Sequence, residues 1–158
     1  MRLAKDVLDF IKLLNSSSVD YLIVGEHAVG FHGFPRLTGD IDFFVRADEE
    51  NATRLIDAFR SFGFEDAENL RPALVTAGRS IKIGAAPSRI DVITGISGVE
   101  FDEAWASRVS GHLESIPVEI IGKDALLKNK RASGRPKDLI DASEIERLSG
   151  MEPGPSST

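Results

Sequence analysis

Asp40-Ile41-Asp42-Phe43 is the stretch of this chain best suited to chemistry. On a strand, residues i and i+2 face the same way, so Asp40 and Asp42 would project side by side. Adjacent carboxylates repel unless a cation lies between them, and Mg²⁺ takes hard oxygen ligands while leaving room for phosphate oxygens. Ile41 and Phe43 would face the core, and a carboxylate pair bracketed so closely by apolar residues is costly without a partner. Asp91, inside the apolar run Arg89-Ile90-Asp91-Val92-Ile93, offers a third acidic group from a second strand. It would complete the coordination or accept the proton of an attacking hydroxyl. Gly25 ends another apolar run, Tyr21-Leu22-Ile23-Val24, where a helix is expected to start. The free N–H groups of such a helix start suit phosphate. Each piece has a plainer reading taken alone: a solvent-facing Asp-x-Asp, a surface aspartate, an ordinary strand-to-helix turn.

The elements that must position these residues follow from periodicity. Leu3, Val7, Leu8, Phe10, Ile11 and Leu14 predict an amphipathic helix over 2–15. A strand over 21–24 and a short helix over 26–33 follow, then a strand through Ile41, Phe43, Phe44 and Val45 with both aspartates embedded in it. Asp48-Glu49-Glu50 starts a helix that Gly63 closes. Residues 65–72 read as irregular. Two strands, 80–83 and 89–93, flank Pro87; a helix covers 101–107, a strand 117–121, and two helices, 124–132 and 136–148, break at Ser133-Gly134. Trp105 and Phe101 read as core rather than as a base-stacking platform.

Composition sets the outer bounds. A chain of 158 residues with 42% hydrophobic residues suits one domain with a sizeable core, placed over 1–149, with the Gly/Pro/Ser-rich tail 150–158 expected to be disordered. With no cysteine, thiol nucleophiles and Cys-ligated zinc are excluded. No apolar run approaches the ~20 residues of a membrane span, and 1–10 has no signal-peptide core, so a cytoplasmic protein without a membrane partner is expected. A net charge of −6 argues against a surface coated in nucleic acid, yet the segment from Lys123 to Lys137 holds six basic residues and a single acid, Asp124. Such local charge suits a triphosphate, and arginine grips phosphate bidentately.

Gly25-Glu26, thirteen spacer residues, Asp40-Ile41-Asp42-Phe43 and the later Asp91 together resemble the DNA polymerase beta-type nucleotidyltransferase superfamily. Its pattern is a strand ending in Gly-Gly or Gly-Ser, then Asp-h-Asp-h, then a third acidic residue on a strand. Two further blocks, Arg36-Leu37-Thr38 before the Asp pair and Lys130-Arg131-Ala132-Ser133-Gly134-Arg135-Pro136-Lys137-Asp138 near the end, are similar to small bacterial members related to AbiEii-like toxin nucleotidyltransferases. The resemblance covers roughly residues 20 to 148. It implies an α+β chain with a minimal nucleotidyltransferase fold, a mixed β-sheet flanked by helices. It implies Asp40, Asp42 and Asp91 as both the catalytic set and the ligands of Mg²⁺ (or Mn²⁺). It implies a nucleoside triphosphate such as ATP as substrate, its phosphates held by Gly25, Glu26, Arg36, Thr38, Lys130, Arg135 and Lys137. The nucleoside monophosphate would pass to a hydroxyl of tRNA, a protein or a small molecule; a toxin-like role with an antitoxin partner belongs to the same resemblance.

Glu26 departs from the pattern, because the second small residue of the family is acidic here. A carboxylate a few ångström from a triphosphate repels it, so the alternative to an enzyme is a pseudoenzyme that binds a nucleotide or a partner. A metal-dependent phosphohydrolase ranks last, since His27, His32 and His112 show no ligand spacing. His27 and His32, five apart on a short helix, share no face and read as structural.

Overall fold

A computed structural model describes residues 3–35, 39–85 and 88–151. The chain forms α1 (Lys5–Ser16), β1 (Tyr21–Val24), α2 (Gly25–Phe31), β2 (Ile41–Val45), α3 (Glu49–Phe62), a 3₁₀ turn (Ala67–Leu70), α4 (Arg71–Leu74), β3 (Ser80–Ala85), β4 (Ser88–Ile93), α5 (Phe101–Ala106), β5 (Val109–Leu113), β6 (Ile116–Ile120), α6 (Lys123–Ser133) and α7 (Pro136–Met151). The strands make one mixed sheet in the order β3-β4-β2-β1-β6-β5. β2 runs parallel to β4, and β1 parallel to β6; the other pairs are antiparallel. This is the expected α+β architecture, a mixed β-sheet flanked by helices.

Alternation along β2 divides the core. Ile41, Phe43 and Val45 are fully buried on the side covered by α1 and α3. There Phe43 meets Phe10 edge-on at 5.7 Å and Tyr21 at 5.6 Å, while Phe10 packs 5.7 Å from Phe59. Asp42 and Phe44 point the other way, and Phe44 lies under α5 with its ring 5.1 Å from Phe101. The apolar layer behind β2 therefore fixes the strand that carries Asp42. α3 is capped as its sequence requires: the Asp48 side chain accepts from the Asn51 N–H at 2.8 Å, and Gly63 ends the helix at φ 121°.

Several boundaries differ from those read in the sequence. Asp40 lies just before β2 rather than within it. Residues 65–72, expected to be irregular, contain a 3₁₀ turn and enter α4. β5 went unread, because Val-Ser-Gly-His-Leu alternates weakly and its hairpin turn uses Glu114 and Ser115 at positive φ in place of the usual glycine or asparagine. α7 continues through Gly150 to Met151; the rest of the expected tail, 152–158, lies outside the described residues. Among the described residues no helix is long and apolar enough to cross a membrane.

Candidate active site

β2 and β4 run side by side in a register that places Asp42 directly beside Asp91. Both face away from the α1/α3 layer, since partners in neighbouring strands share a face. Asp42 is partly buried. That burial, with Asp91 and then Asp40 close by, pushes its carboxyl up to about 6, and Lys82 offsets only part of the effect. Asp91 is held on both oxygens by the neighbouring strand β3: Ser80 Oγ donates to Oδ1 at 2.7 Å, and Lys82 Nζ lies 2.9 Å from Oδ2. Asp40 turns toward the start of β4. Its Oδ1 accepts from the Arg89 backbone N–H at 3.2 Å and stands 3.7 Å from Arg89 Nε. Asp42 and Asp91 thus adjoin, while Asp40 sits to one side, and among the described residues no three acidic or histidine side chains are already gathered as a ligand set.

Gly25 is dictated by Asp42. Its φ is +70°, and a Cβ there would fall 2.2 Å from Asp42 Oδ2. Only glycine adopts that backbone without strain and leaves room for the carboxylate. The next residue, Glu26, turns its carboxylate to α7, where Lys137 Nζ lies 2.7 Å from Oε1. Two residues expected to hold phosphate are therefore paired with each other across α2 and α7.

Lys130, expected to hold phosphate, is engaged by two aspartates of α7. It is buried, with Nζ 3.1 Å from Asp138 Oδ1 and 3.3 Å from Asp141 Oδ2, and it fastens α6 to α7. Ser133 Oγ donates to Asp138 Oδ2 at 2.5 Å and Arg135 Nε at 2.9 Å. Burial alone would raise the Asp138 carboxyl, but the hydrogen bonds from Ser133, Lys130 and Arg135 outweigh it and hold the group down to about 2. Arg135 remains mostly exposed at the mouth of the site. Arg36 and Thr38 lie outside the described residues.

A cavity of about 500 Å³ joins these parts, lined by Gly25, Asp42, Asn129, Lys130 and Arg135 among others. Across Gly78, Gly95 and Ile96 it adjoins a second cavity of about 560 Å³, floored by Phe44 and Phe101. At the second cavity Arg46 is paired with Asp20 and Asp102, and its guanidinium lies 4.7 Å from the centre of the Phe101 ring. Phe101 and Trp105 stack at 5.5 Å and pack partly buried on the core, as the sequence suggested. His32 Nε2 lies 2.7 Å from the Ile121 carbonyl, and burial lowers both His27 and His32, in line with structural roles. Lys82 and Ser80 were missed by the sequence reading. The signal was their i, i+2 spacing on a strand, which puts both on the face of Asp91 once the register is known.

No family model matches the chain, and no curated protein does. Solved structures do. The antibiotic-resistance factor ANT(2'')-Ia superposes with a TM-score of 0.57 at 15% identity, covering 91% of this chain and 82% of its own. An antigenic nucleotidyltransferase-like protein from Paracoccidioides brasiliensis gives a TM-score of 0.54 at 15% identity over 94% and 79% of the two chains. The lincosamide antibiotic adenylyltransferase LnuA gives 0.52 at 12% over 94% and 99%. The chain has the nucleotidyltransferase fold. At these identities the likeness establishes the fold of this chain. In this nucleotidyltransferase fold, Asp42 and Asp91 stand side by side with Gly25 against Asp42.

Proposed function

We propose that this protein is a divalent-cation-dependent nucleotidyltransferase that moves a nucleoside monophosphate from a nucleoside triphosphate to a hydroxyl acceptor. The observation that carries the reading is the register of Asp42 beside Asp91, with Gly25 kept free of a side chain at Asp42 Oδ2.

The donor set fits Mg²⁺ or Mn²⁺: hard carboxylate oxygens from Asp42 and Asp91, with Asp40 next to them, and an Asp42 whose charge is disfavoured until a cation offsets its neighbours. Bound there, the cation would neutralise charge at the α-phosphate and on the departing pyrophosphate. The chain's own residues do the rest. The backbone after Gly25 and the exposed Arg135 flank the cavity and hold phosphate oxygens; Lys137 joins them when it leaves Glu26. Arg36 and Thr38, which precede β2 in the sequence, belong to the same proposed set. Asp91 takes the proton of the acceptor hydroxyl as its oxygen bonds the α-phosphorus and the bond to the β-phosphate oxygen breaks.

The acceptor class is a small molecule with a hydroxyl group in the reading favoured here. ANT(2'')-Ia has been solved in complex with adenylyl-2''-tobramycin and LnuA with lincomycin bound, and a second cavity adjoins the Asp42 site. tRNA or protein as acceptor, and a toxin-like role with an antitoxin partner, rest on the motif resemblance alone. A second reading, a catalytically impaired nucleotide- or partner-binding protein, draws on the Glu26–Lys137 pair and on the double hold of Ser80 and Lys82 on Asp91.

The test is to supply Mg²⁺, each α-labelled nucleoside triphosphate and, in turn, hydroxylated small molecules, total RNA and lysate proteins. Label transferred to one acceptor class by the wild type and lost in Asp42→Asn supports the enzyme. Nucleotide binding with no transfer to any class supports the second reading.

A further inference from the structure

Lys82 sets a positive charge directly against the Asp42–Asp91 pair. It lies on β3, the edge strand of the sheet, with its Cα paired in register with Asp91. Its ammonium is 2.9 Å from Asp91 Oδ2, and Ser80, two residues earlier on the same face, donates to the other oxygen at 2.7 Å. Asp91 in turn stands beside Asp42. The Lys82 side chain is 65% exposed and that of Asp91 22%, so the ammonium reaches from solvent inward to the carboxylate rather than being locked in the core. An ion pair of this exposure contributes little to stability. Its charge nonetheless stands against one of the two carboxylates proposed to hold a divalent cation, and like charges at such range repel strongly.

We infer that Lys82 is a positioning residue that serves as an internal counter-cation: it holds Asp91 between turnovers and must swing away when a divalent cation engages the Asp42–Asp91 pair. The inference rests on the reading of those aspartates as a cation site. Lys82 therefore competes with the metal and sets its affinity. It also offsets the repulsion between Asp91 and Asp42 when no cation is bound. On release, its flexible stem lets the ammonium move out toward the open side of the site, and no backbone change is required. Ser80, which carries no charge, keeps its bond to Oδ1 and fixes the carboxylate plane throughout.

The experiment is a Mn²⁺ titration of the full chain, followed by calorimetry and by the electron paramagnetic resonance signal of free Mn²⁺, with no nucleotide present. Wild type, Lys82→Met, Lys82→Arg and Asp42→Asn are compared, each checked for native secondary structure by circular dichroism. Lys82→Met is expected to bind Mn²⁺ about three- to tenfold more tightly than wild type, and Lys82→Arg within about twofold of it. Asp42→Asn is expected to lose at least about tenfold in affinity. Mn²⁺ binding that Asp42→Asn weakens, but that Lys82→Met leaves equal or weaker, overturns the role of Lys82 and leaves the cation site standing. Binding that Asp42→Asn does not weaken, or no binding by any of the folded proteins, overturns the cation site and the inference with it. Binding by Lys82→Met where wild type shows none supports the inference in its strongest form.

Discussion

Gly25 and Asp42 share one volume: the place a Cβ would occupy on residue 25 lies 2.2 Å from Asp42 Oδ2. Gly25→Ala must therefore push the carboxylate aside or bend the backbone, and it also forces an L-residue to a φ of +70°. The expected cost is about 1–3 kcal/mol of stability, with transfer activity reduced at least about 100-fold because Asp42 is displaced. Urea denaturation and turnover measured on the same preparation check both parts.

Asp42→Asn separates function from stability. The native carboxylate is partly buried beside two others, so removing its charge relieves repulsion. Without divalent cation the variant is expected to be at least as stable as wild type, while transfer is abolished. Thermal melts with and without Mg²⁺ give the contrast: wild type gains stability on adding the ion, and the variant does not.

Lys130 is expected to matter for the fold first. Lys130→Met leaves Asp138 and Asp141 buried without their shared cation, at a cost of about 3–5 kcal/mol. A denaturant midpoint measures this directly; a variant of unchanged stability that only binds nucleotide more weakly would return Lys130 to the phosphate-binding set.

Acid should loosen the same helix pair. Asp138 is held at about 2 against an ordinary 3.8, so its folded-state value is depressed. Its contribution is complete above about pH 4 and is lost as pH falls through 2, amounting to about 2 kcal/mol. Asp138→Asn is expected to flatten this part of the acid-unfolding curve and to lower the plateau above it.

Glu26 is paired with Lys137, yet its charge still stands one residue from Gly25. Glu26→Ser is expected to tighten nucleoside triphosphate binding about three- to tenfold, since it removes a carboxylate near the phosphates and releases Lys137 toward them. A titration with a fluorescent nucleotide analogue reads it, and the partly exposed pair itself should change stability by about 1 kcal/mol or less.

Much of the framework was legible in the chain. The period-2 pattern around Asp42 and Asp91 announced two strands, and the apolar stripe of α1 announced its buried face. What lay beyond reach was which groups meet across elements. In the sequence the six basic residues from Lys123 to Lys137 form one charged segment. Only the packing of α6 on α7 shows that Lys130 is consumed by Asp138 and Asp141 while Arg135 stays largely outside. Cross-strand register is equally invisible in one dimension, so the i, i+2 spacing of Ser80 and Lys82 could not by itself tie them to Asp91. Strand β5 escaped for a local reason, a turn into β6 made by Glu114 and Ser115 without glycine.

The parallel pairing of β2 with β4 has a consequence for how the molecule comes into being. Parallel neighbours cannot be joined by a tight turn, so the chain between them must leave the sheet, build α3, the 3₁₀ turn and α4, and return through the edge strand β3. Asp42 and Asp91 meet only when that long excursion closes, which makes the site a non-local product of folding. The two carboxylates are also brought together against their own repulsion, so the pairing of β2 with β4 is a step open to help from a cation in the surrounding solution.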